Sequence, residues 1–374
     1  MPINIAIPSE ILPGEDRVAM VPAVAKTFIA KGCKITLEHN AGSKSYFNDE
    51  AFVNADIEKS AKNLYANGDV IIKIQAPTDH EIAEMKNGAI LICPLYPHLR
   101  PAILKALCAK NITCFALERI PRTVSRAQNM DILSSQAAAM GYKAALLAAN
   151  ECKYFFPMLS TAAGTMRPAK VLIIGAGVAG LSAIAAAKRL GARVSAYDVR
   201  PQTKEEVKSL GAQFIMLEIQ AAGEGGYARE LTAEEKTQQQ ALLEKHIIEN
   251  DVLITTAGVP GKPAPKIVTQ NVIAKMKPGS VIVDIMAEMG GNCDLTKAGE
   301  KIDFQGITII GTKNLASSLC VNTSEMFAKN VFNFLSPFIN NGELNIDWND
   351  KVITATLVTH QGSIKDETLK NLNQ

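Results

Sequence analysis

The chain has 374 residues, 47% hydrophobic and 20% charged, with 39 Lys+Arg against 37 Asp+Glu for a net charge of +2. That length suits two domains, the composition excludes a disordered chain, and the near-balance of charge argues against a nucleic-acid binder, which carries a basic face. No apolar run reaches the roughly 18 residues of a membrane-spanning helix; the nearest, residues 144–158, is broken by Glu151 and Lys153.

The opening residues carry neither a basic n-region nor a signal-peptide core, so export is not expected. Residues 4–8 read as a strand, 21–30 show helical periodicity, and 33–38 read as a second strand. Residues 69–73, 89–93 and 113–117 are further strand-like runs with helical segments between them. An Ala-rich helical stretch at 136–154 bridges to a second unit of the same rhythm. Its strands fall at 171–174, 193–197, 213–216, 252–256, 281–285 and 308–310. Such alternation predicts an α/β fold: two doubly wound, mostly parallel-sheet, Rossmann-like domains. An apolar helical run at 324–339 follows the last strand. A long helix after a completed sheet often returns to the first domain, and residues 352–358 can add to it too. The expected division is a discontinuous first domain, 1–135 plus 315–374, and a dinucleotide-binding domain, 136–314. Residues 219–240 change character, with Ala221-Ala-Gly-Glu-Gly-Gly226-Tyr227 too glycine-rich for a core element; a solvated connection and a functional lid both remain open. The seven cysteines form no CxxC and no His/Cys cluster, which predicts reduced thiols in a cytoplasmic setting and no metal site.

The strongest chemical signal is Val171-Leu-Ile-Ile-Gly175-Ala-Gly177-Val-Ala-Gly180-Leu, an apolar strand running into G-x-G-x-x-G and then a helix. Gly175 permits the tight turn, Gly177 lets the backbone approach a pyrophosphate, and Gly180 allows close helix–strand packing. The helix N-terminus supplies N–H groups for the anion. Asp198 closes the next strand about 20 residues on, where a carboxylate accepts both ribose hydroxyls and repels a 2′-phosphate. That favours NAD(H), although the nearby Arg200 is of a kind that can favour NADP. A second constellation, Pro121-Arg122-Thr-Val-Ser125-Arg126-Ala-Gln128-Asn-Met-Asp131-Ile-Leu-Ser134-Ser135-Gln136, gathers arginines, an amide, a carboxylate and hydroxyls just before the bridging helix. These groups suit a nicotinamide carboxamide and ribose, and equally suit a helix cap with surface charges.

Taken with Pro13-Gly-Glu-Asp-Arg17, Tyr197-Asp-Val-Arg200, Gly225-Gly-Tyr-Ala228, Thr255-Thr-Ala-Gly-Val-Pro-Gly-Lys-Pro-Ala-Pro265 and Gly290-Gly-Asn-Cys293, these segments resemble one family over nearly the whole chain. It is the NAD(H)-binding domain I, or alpha-subunit, family of proton-translocating NAD(P) transhydrogenase. The resemblance implies an NAD(H)-binding component that passes hydride to NADP(H) on a partner subunit, with a membrane-spanning subunit carrying the proton path. It also implies a homodimer, peripheral on the cytoplasmic face of the inner membrane. The family's nicotinamide-contacting residues map onto Arg122, Gln128, Asp131 and Ser134, with Arg122 one residue further from Ser125-Arg126 than the family pattern. The cofactor-binding set becomes Gly175, Gly177, Val178, Gly180, Asp198, Val199, Arg200, Gly225, Tyr227, Ala257 and Gly258, with Tyr227 as the mobile-loop tyrosine.

Alanine dehydrogenase shares this two-domain fold and is the nearest rival. It needs a lysine where Lys73-Ile-Gln75-Ala-Pro77 places Gln75, and a histidine where Pro94-Leu-Tyr96-Pro97 places Tyr96. An amide and a phenol cannot replace a general acid of near-neutral pKa. A non-catalytic NAD sensor is the alternative of a different class.

Overall fold

A computed structural model describes residues 2–216, 233–258 and 261–370. The chain forms two compact units, residues 1–136 with 316–374 and residues 137–315.

The first unit is built on an eight-stranded sheet. Its spatial order is Ser363–Ile364, Leu357–His360, Thr113–Ala116, Ile90–Cys93, Val70–Ile72, Asn4–Ile7, Lys34–Glu38 and Asp56–Glu58. The six strands from Thr113–Ala116 to Asp56–Glu58 are parallel, and the two C-terminal strands add antiparallel at one edge. Alternate residues feed opposite faces: Ile5, Ile7, Ile72 and Ile92 join one buried cluster, and Ala6, Ile71, Leu91 and Cys93 the other. Burial on both faces is why these strands read as continuous apolar runs.

The second unit carries a seven-stranded sheet in the order Gln213–Phe214, Arg193–Tyr197, Lys170–Ile174, Val252–Thr255, Val281–Asp284, Ile307–Gly311 and Lys301–Phe304. All are parallel except Lys301–Phe304, which returns antiparallel to Ile307–Gly311. The first strand of this unit's parallel sheet, Lys170–Ile174, lies between Arg193–Tyr197 and Val252–Thr255. Connections therefore leave it in opposite directions, which opens a crevice at the carboxyl ends of Lys170–Ile174 and Val252–Thr255. A small hairpin, Leu159–Thr161 with Gly164–Met166, stands apart from the sheet.

Several boundaries differ from the sequence expectation for local reasons. The Ala-rich helix runs Ile132–Glu151, starting a turn earlier because the Asp131 carboxylate accepts the Ser134 N–H at 3.0 Å and caps it. The apolar helix after the second sheet is Cys320–Leu335. Residues 352–358 divide into the end of a helix, Lys351–Thr356, capped by Asp350, and the start of strand Leu357–His360. Among the described residues no helix is long and apolar enough to cross a membrane, and no group of His, Cys, Asp or Glu is arranged to hold a metal.

Candidate functional site

The dinucleotide turn sits at the crevice of the second unit. Gly175 has φ of +97°, and a Cβ there would stand 2.6 Å from Thr256 Oγ1. A Cβ on Gly180 would fall 1.8 Å from the Gly175 carbonyl oxygen, so the helix can approach the strand only with glycine here. Gly177 differs: a Cβ would meet nothing nearer than Arg200 Nη2 at 3.9 Å. Its bareness serves no packing need in the protein itself and leaves the approach to the backbone clear. Gly177 is the N-cap of helix Val178–Arg189, and no side chain caps it. The first-turn N–H groups have no partner within the helix and suit an anion. This cradle fits a pyrophosphate.

Asp198 follows strand Arg193–Tyr197 and accepts four hydrogen bonds: from the Ala176 N–H at 2.7 Å, and from the Arg200 N–H, Nε and Nη2 at 2.8, 2.9 and 2.9 Å. Burial pushes its carboxyl up, but the Arg200 side chain and the two N–H groups outweigh that and hold it below the ordinary carboxylate value. Val178 and Val199 are exposed beside the turn. Ala257 and Gly258 follow strand Val252–Thr255 across the crevice, where the Thr256 hydroxyl donates to the Gly175 carbonyl at 2.9 Å. Gly225 and Tyr227 lie outside the described residues.

Sequence reasoning gave Gly290-Gly-Asn-Cys293 no individual role, and the fold supplies one. The buried Asn292 side chain accepts from the Ala257 N–H at 3.1 Å and donates to the carbonyls of Ala257 and Pro265 at 2.7 and 2.9 Å. Asp284, at the end of its strand, accepts from the N–H groups of Met286, Asn292 and Cys293 and from the Thr296 hydroxyl. These two residues hold the crevice loop. An acid at a strand end followed by Gly-Gly-Asn is the sequence signal that could have found them.

In the first unit, Arg122, Asp131 and Ser134 come together. Arg122 Nε lies 3.0 Å from Asp131 Oδ2, so the extra residue in the loop does not separate this pair. The Ser134 hydroxyl donates to the same carboxylate oxygen at 2.7 Å. Gln128 stands on the short, tight helix Ser125–Met130, exposed, and its side-chain amide has no hydrogen bond among the described residues. The cap reading thus applies to Asp131 and not to Gln128. Arg126 is paired with Asp350, the cap of Lys351–Thr356.

The strand ends of the same unit hold the positions that a keto-acid reductase would use. Gln75 Nε2 donates to Glu15 Oε2 at 2.7 Å, and Glu15 is ion-paired with Arg17 at 2.5 Å. Arg17 also donates to Gln136 at 2.8 Å. The guanidinium is thereby neutralised by a buried carboxylate rather than presented to a substrate anion. Tyr96 has φ of +45°, held by Glu118, which accepts from the Leu95 and Tyr96 N–H groups at 2.9 and 2.7 Å. Burial, then the charge of Glu118, pushes its phenol up. His98, with its ring 6.2 Å away, is exposed.

Comparison with known proteins places this geometry. Residues 6–140 match the family description "Alanine dehydrogenase/PNT, N-terminal domain", and residues 144–367 match "Alanine dehydrogenase/PNT, C-terminal domain". The chain belongs to the alanine dehydrogenase/PNT family. Within that family it is 43% identical to the first of the separate polypeptides that make up the NAD(P) transhydrogenase alpha subunit of Rhodospirillum rubrum, covering 97% of both chains. The alanine dehydrogenase of Methanococcus maripaludis is 28% identical over 78% of this chain and 74% of that one. The solved transhydrogenase of Sinorhizobium meliloti superposes with a TM-score of 0.88 at 39% identity, covering 96% of this chain and 99% of that one. The alanine dehydrogenase/PNT chain described here therefore sides with the transhydrogenase alpha subunits. Both of its units have the mostly parallel α/β sheets of the family, and family membership carries NAD(H) binding with it.

Proposed function

We propose that the chain is the NAD(H)-binding component of a proton-translocating NAD(P) transhydrogenase, passing hydride from NADH to NADP held by a partner subunit. One observation carries the reading: an intact dinucleotide turn in one unit accompanies, in the other, strand ends where Gln75 and Tyr96 stand in place of a lysine and a histidine. Keto-acid or imine reduction needs a proton donor that titrates near neutrality, and neither an amide nor a buried phenol is one. Hydride transfer between two nicotinamides needs no such donor. When bound, the nicotinamide supplies the hydride; the protein has only to orient it and exclude water.

In this reading the N–H groups from Gly177 to Gly180 hold the pyrophosphate beside Val178. Asp198 accepts the ribose hydroxyls, with Val199, Ala257 and Gly258 around the adenosine. Arg122, Asp131 and Ser134 orient the carboxamide, and the free amide of Gln128 reaches toward the partner's cofactor. Gly225 and Tyr227 close over the nucleotide. No residue acts as acid or base at the reacting carbons, and no metal takes part. A homodimer of this chain joins an NADP(H)-binding subunit and a membrane-spanning subunit, which hold it on the cytoplasmic face of the inner membrane.

The test is a mixing assay. The purified chain alone should give no transfer between NADH and an NADP analogue, and adding the NADP(H)-binding partner should start it. Alanine-dependent reduction of NAD by the chain alone would move the reading to alanine dehydrogenase. NADH binding without transfer in the complete mixture would make the chain a sensor.

A further inference from the structure

The carboxylate assigned to the adenosine ribose is already engaged by the protein. Asp198 Oδ1 accepts the Arg200 N–H and Nε, while Oδ2 accepts the Ala176 N–H and Arg200 Nη2, all within 2.7–2.9 Å. An ionised carboxylate offers about four lone-pair sites, so these bonds leave none for a diol. The exposures are unequal: 5% of the Asp198 side chain reaches solvent against 58% of Arg200. The guanidinium is thus the solvent-side cover of a buried acceptor. Its Nη2 also lies over the bare face of Gly177, 3.9 Å from the place of an added Cβ. A second carboxylate, Glu206 on helix Thr203–Ser209, also attracts Arg200 and gives a released guanidinium somewhere to go.

We propose that Arg200 is a specificity-determining latch that competes with the adenosine ribose for Asp198 and swings out toward Glu206 before NAD(H) seats. This rests on Asp198 being the ribose acceptor. Two consequences follow from charge alone. Charge-assisted bonds are about twice as strong as neutral ones, so opening the fork lowers the net affinity for NAD(H) below what the cradle can give. With the fork closed, the charge of Asp198 is also neutralised, which weakens its repulsion of a 2′-phosphate. Arg200 therefore narrows the gap between NADH and NADPH.

Equilibrium titration of the full chain with NADH, NADPH and ADP-ribose tests this. Arg200→Gln should bind NADH and ADP-ribose about fivefold tighter, or about 1 kcal/mol, with no gain for NADPH. Arg200→Lys, a point charge without the fork, should fall between. Asp198→Asn should weaken NADH binding and make a second change at Arg200 silent. Melting temperatures exclude misfolding of the variants. Weaker or unchanged NADH binding by Arg200→Gln, with the loss in Asp198→Asn intact, overturns the latch and leaves the ribose assignment standing. Unchanged NADH affinity in Asp198→Asn overturns the ribose assignment itself.

Discussion

Each unit has a sheet whose strand order reverses beside its first parallel strand, and the two crevices are furnished in opposite ways. In the second unit, three glycines bring a helix N-terminus to the crevice with no side chain capping it. In the first, the strands Asn4–Ile7 and Val70–Ile72 lead into a plug of charge. Glu10 accepts the Ile74 and Gln75 N–H groups at 2.6 and 3.3 Å, and Lys73 lies 2.8 Å from Glu81 and 3.4 Å from Glu10. The Tyr65 hydroxyl donates to Glu81 at 2.6 Å. Polar groups in the first crevice bind one another, whereas those in the second are left for a ligand. The same topology therefore makes a site only where the sequence leaves donors unmatched.

Breaking the plug gives the largest expected effect. Lys73 is fully buried between Glu10 and Glu81. Burial pulls its ammonium down, but the two carboxylates outweigh this and raise it, so it stays charged. Lys73→Met leaves both acids without their cation and should cost about 3–5 kcal/mol in chemical denaturation. Adding Glu81→Gln should recover some of that loss, because one uncompensated charge goes with it. Next in size is the cradle. Gly180→Ala drives a methyl into the Gly175 carbonyl and should cost about 3 kcal/mol or more of stability. Gly177→Ala should leave the melting temperature near wild type, since its Cβ meets open space, yet weaken NADH about tenfold by standing where the pyrophosphate approaches. Equal stability loss in the two alanine variants would erase the distinction between a packing glycine and a ligand glycine.

A smaller effect separates Gln128 from Asp131. Gln128 makes no cap bond, so Gln128→Asn should keep the melting temperature and hold NADH affinity within about threefold. Hydride transfer in the reconstituted complex should slow about tenfold or more, because small misplacements of reacting atoms are costly. Asp131→Asn should slow transfer as well, but with about 1 kcal/mol of lost stability from the weakened cap of Ile132–Glu151. Normal transfer in Gln128→Asn would remove it from the proposed site.

How much of this was legible in the sequence depends on distance along the chain. The inner strands, such as Arg193–Tyr197 and Val281–Asp284, announce themselves because a parallel strand buried on both faces is a run of apolar residues. Edge pieces did not: Asp56–Glu58 and Lys301–Phe304 are polar and half-exposed, and the hairpin Leu159–Met166 is exposed along both strands. The glycine turn was readable since each glycine answers a local steric demand. The Glu15–Arg17–Gln75 cluster and the Asn292 clamp were not, because their partners lie 60, 119 and 35 residues away and meet only when the sheets form. Asp131 shows the other failure: its carboxylate has a capping role that the same residues could hide behind a ligand role.

The subtlest expectation concerns the excess acid of the plug. One ammonium faces two carboxylates, and Glu15 adds a further negative charge nearby. Burial raises the Glu10 carboxyl above its ordinary 4.5, with Lys73 and the Ile74 N–H offsetting only some of it. Burial also acts on Glu81 and Glu15, but Lys73 and Tyr65 for one, and Arg17 and Gln75 for the other, bring both below that value. The signs are therefore opposite. Glu10 favours the folded chain at low pH, and that contribution is lost as pH rises through its raised folded value. Glu15 and Glu81 favour it above the unfolded value, and their contribution is lost as pH falls. Glu10→Gln removes the first effect and keeps the others. The melting temperature of wild type minus that of Glu10→Gln should thus fall steadily between about pH 5 and 8, by less than the effects above. A difference that rises over this range would mean that Glu10 is more stable ionised in the fold than in water, and the plug would then be a compensated network rather than one carrying a surplus charge.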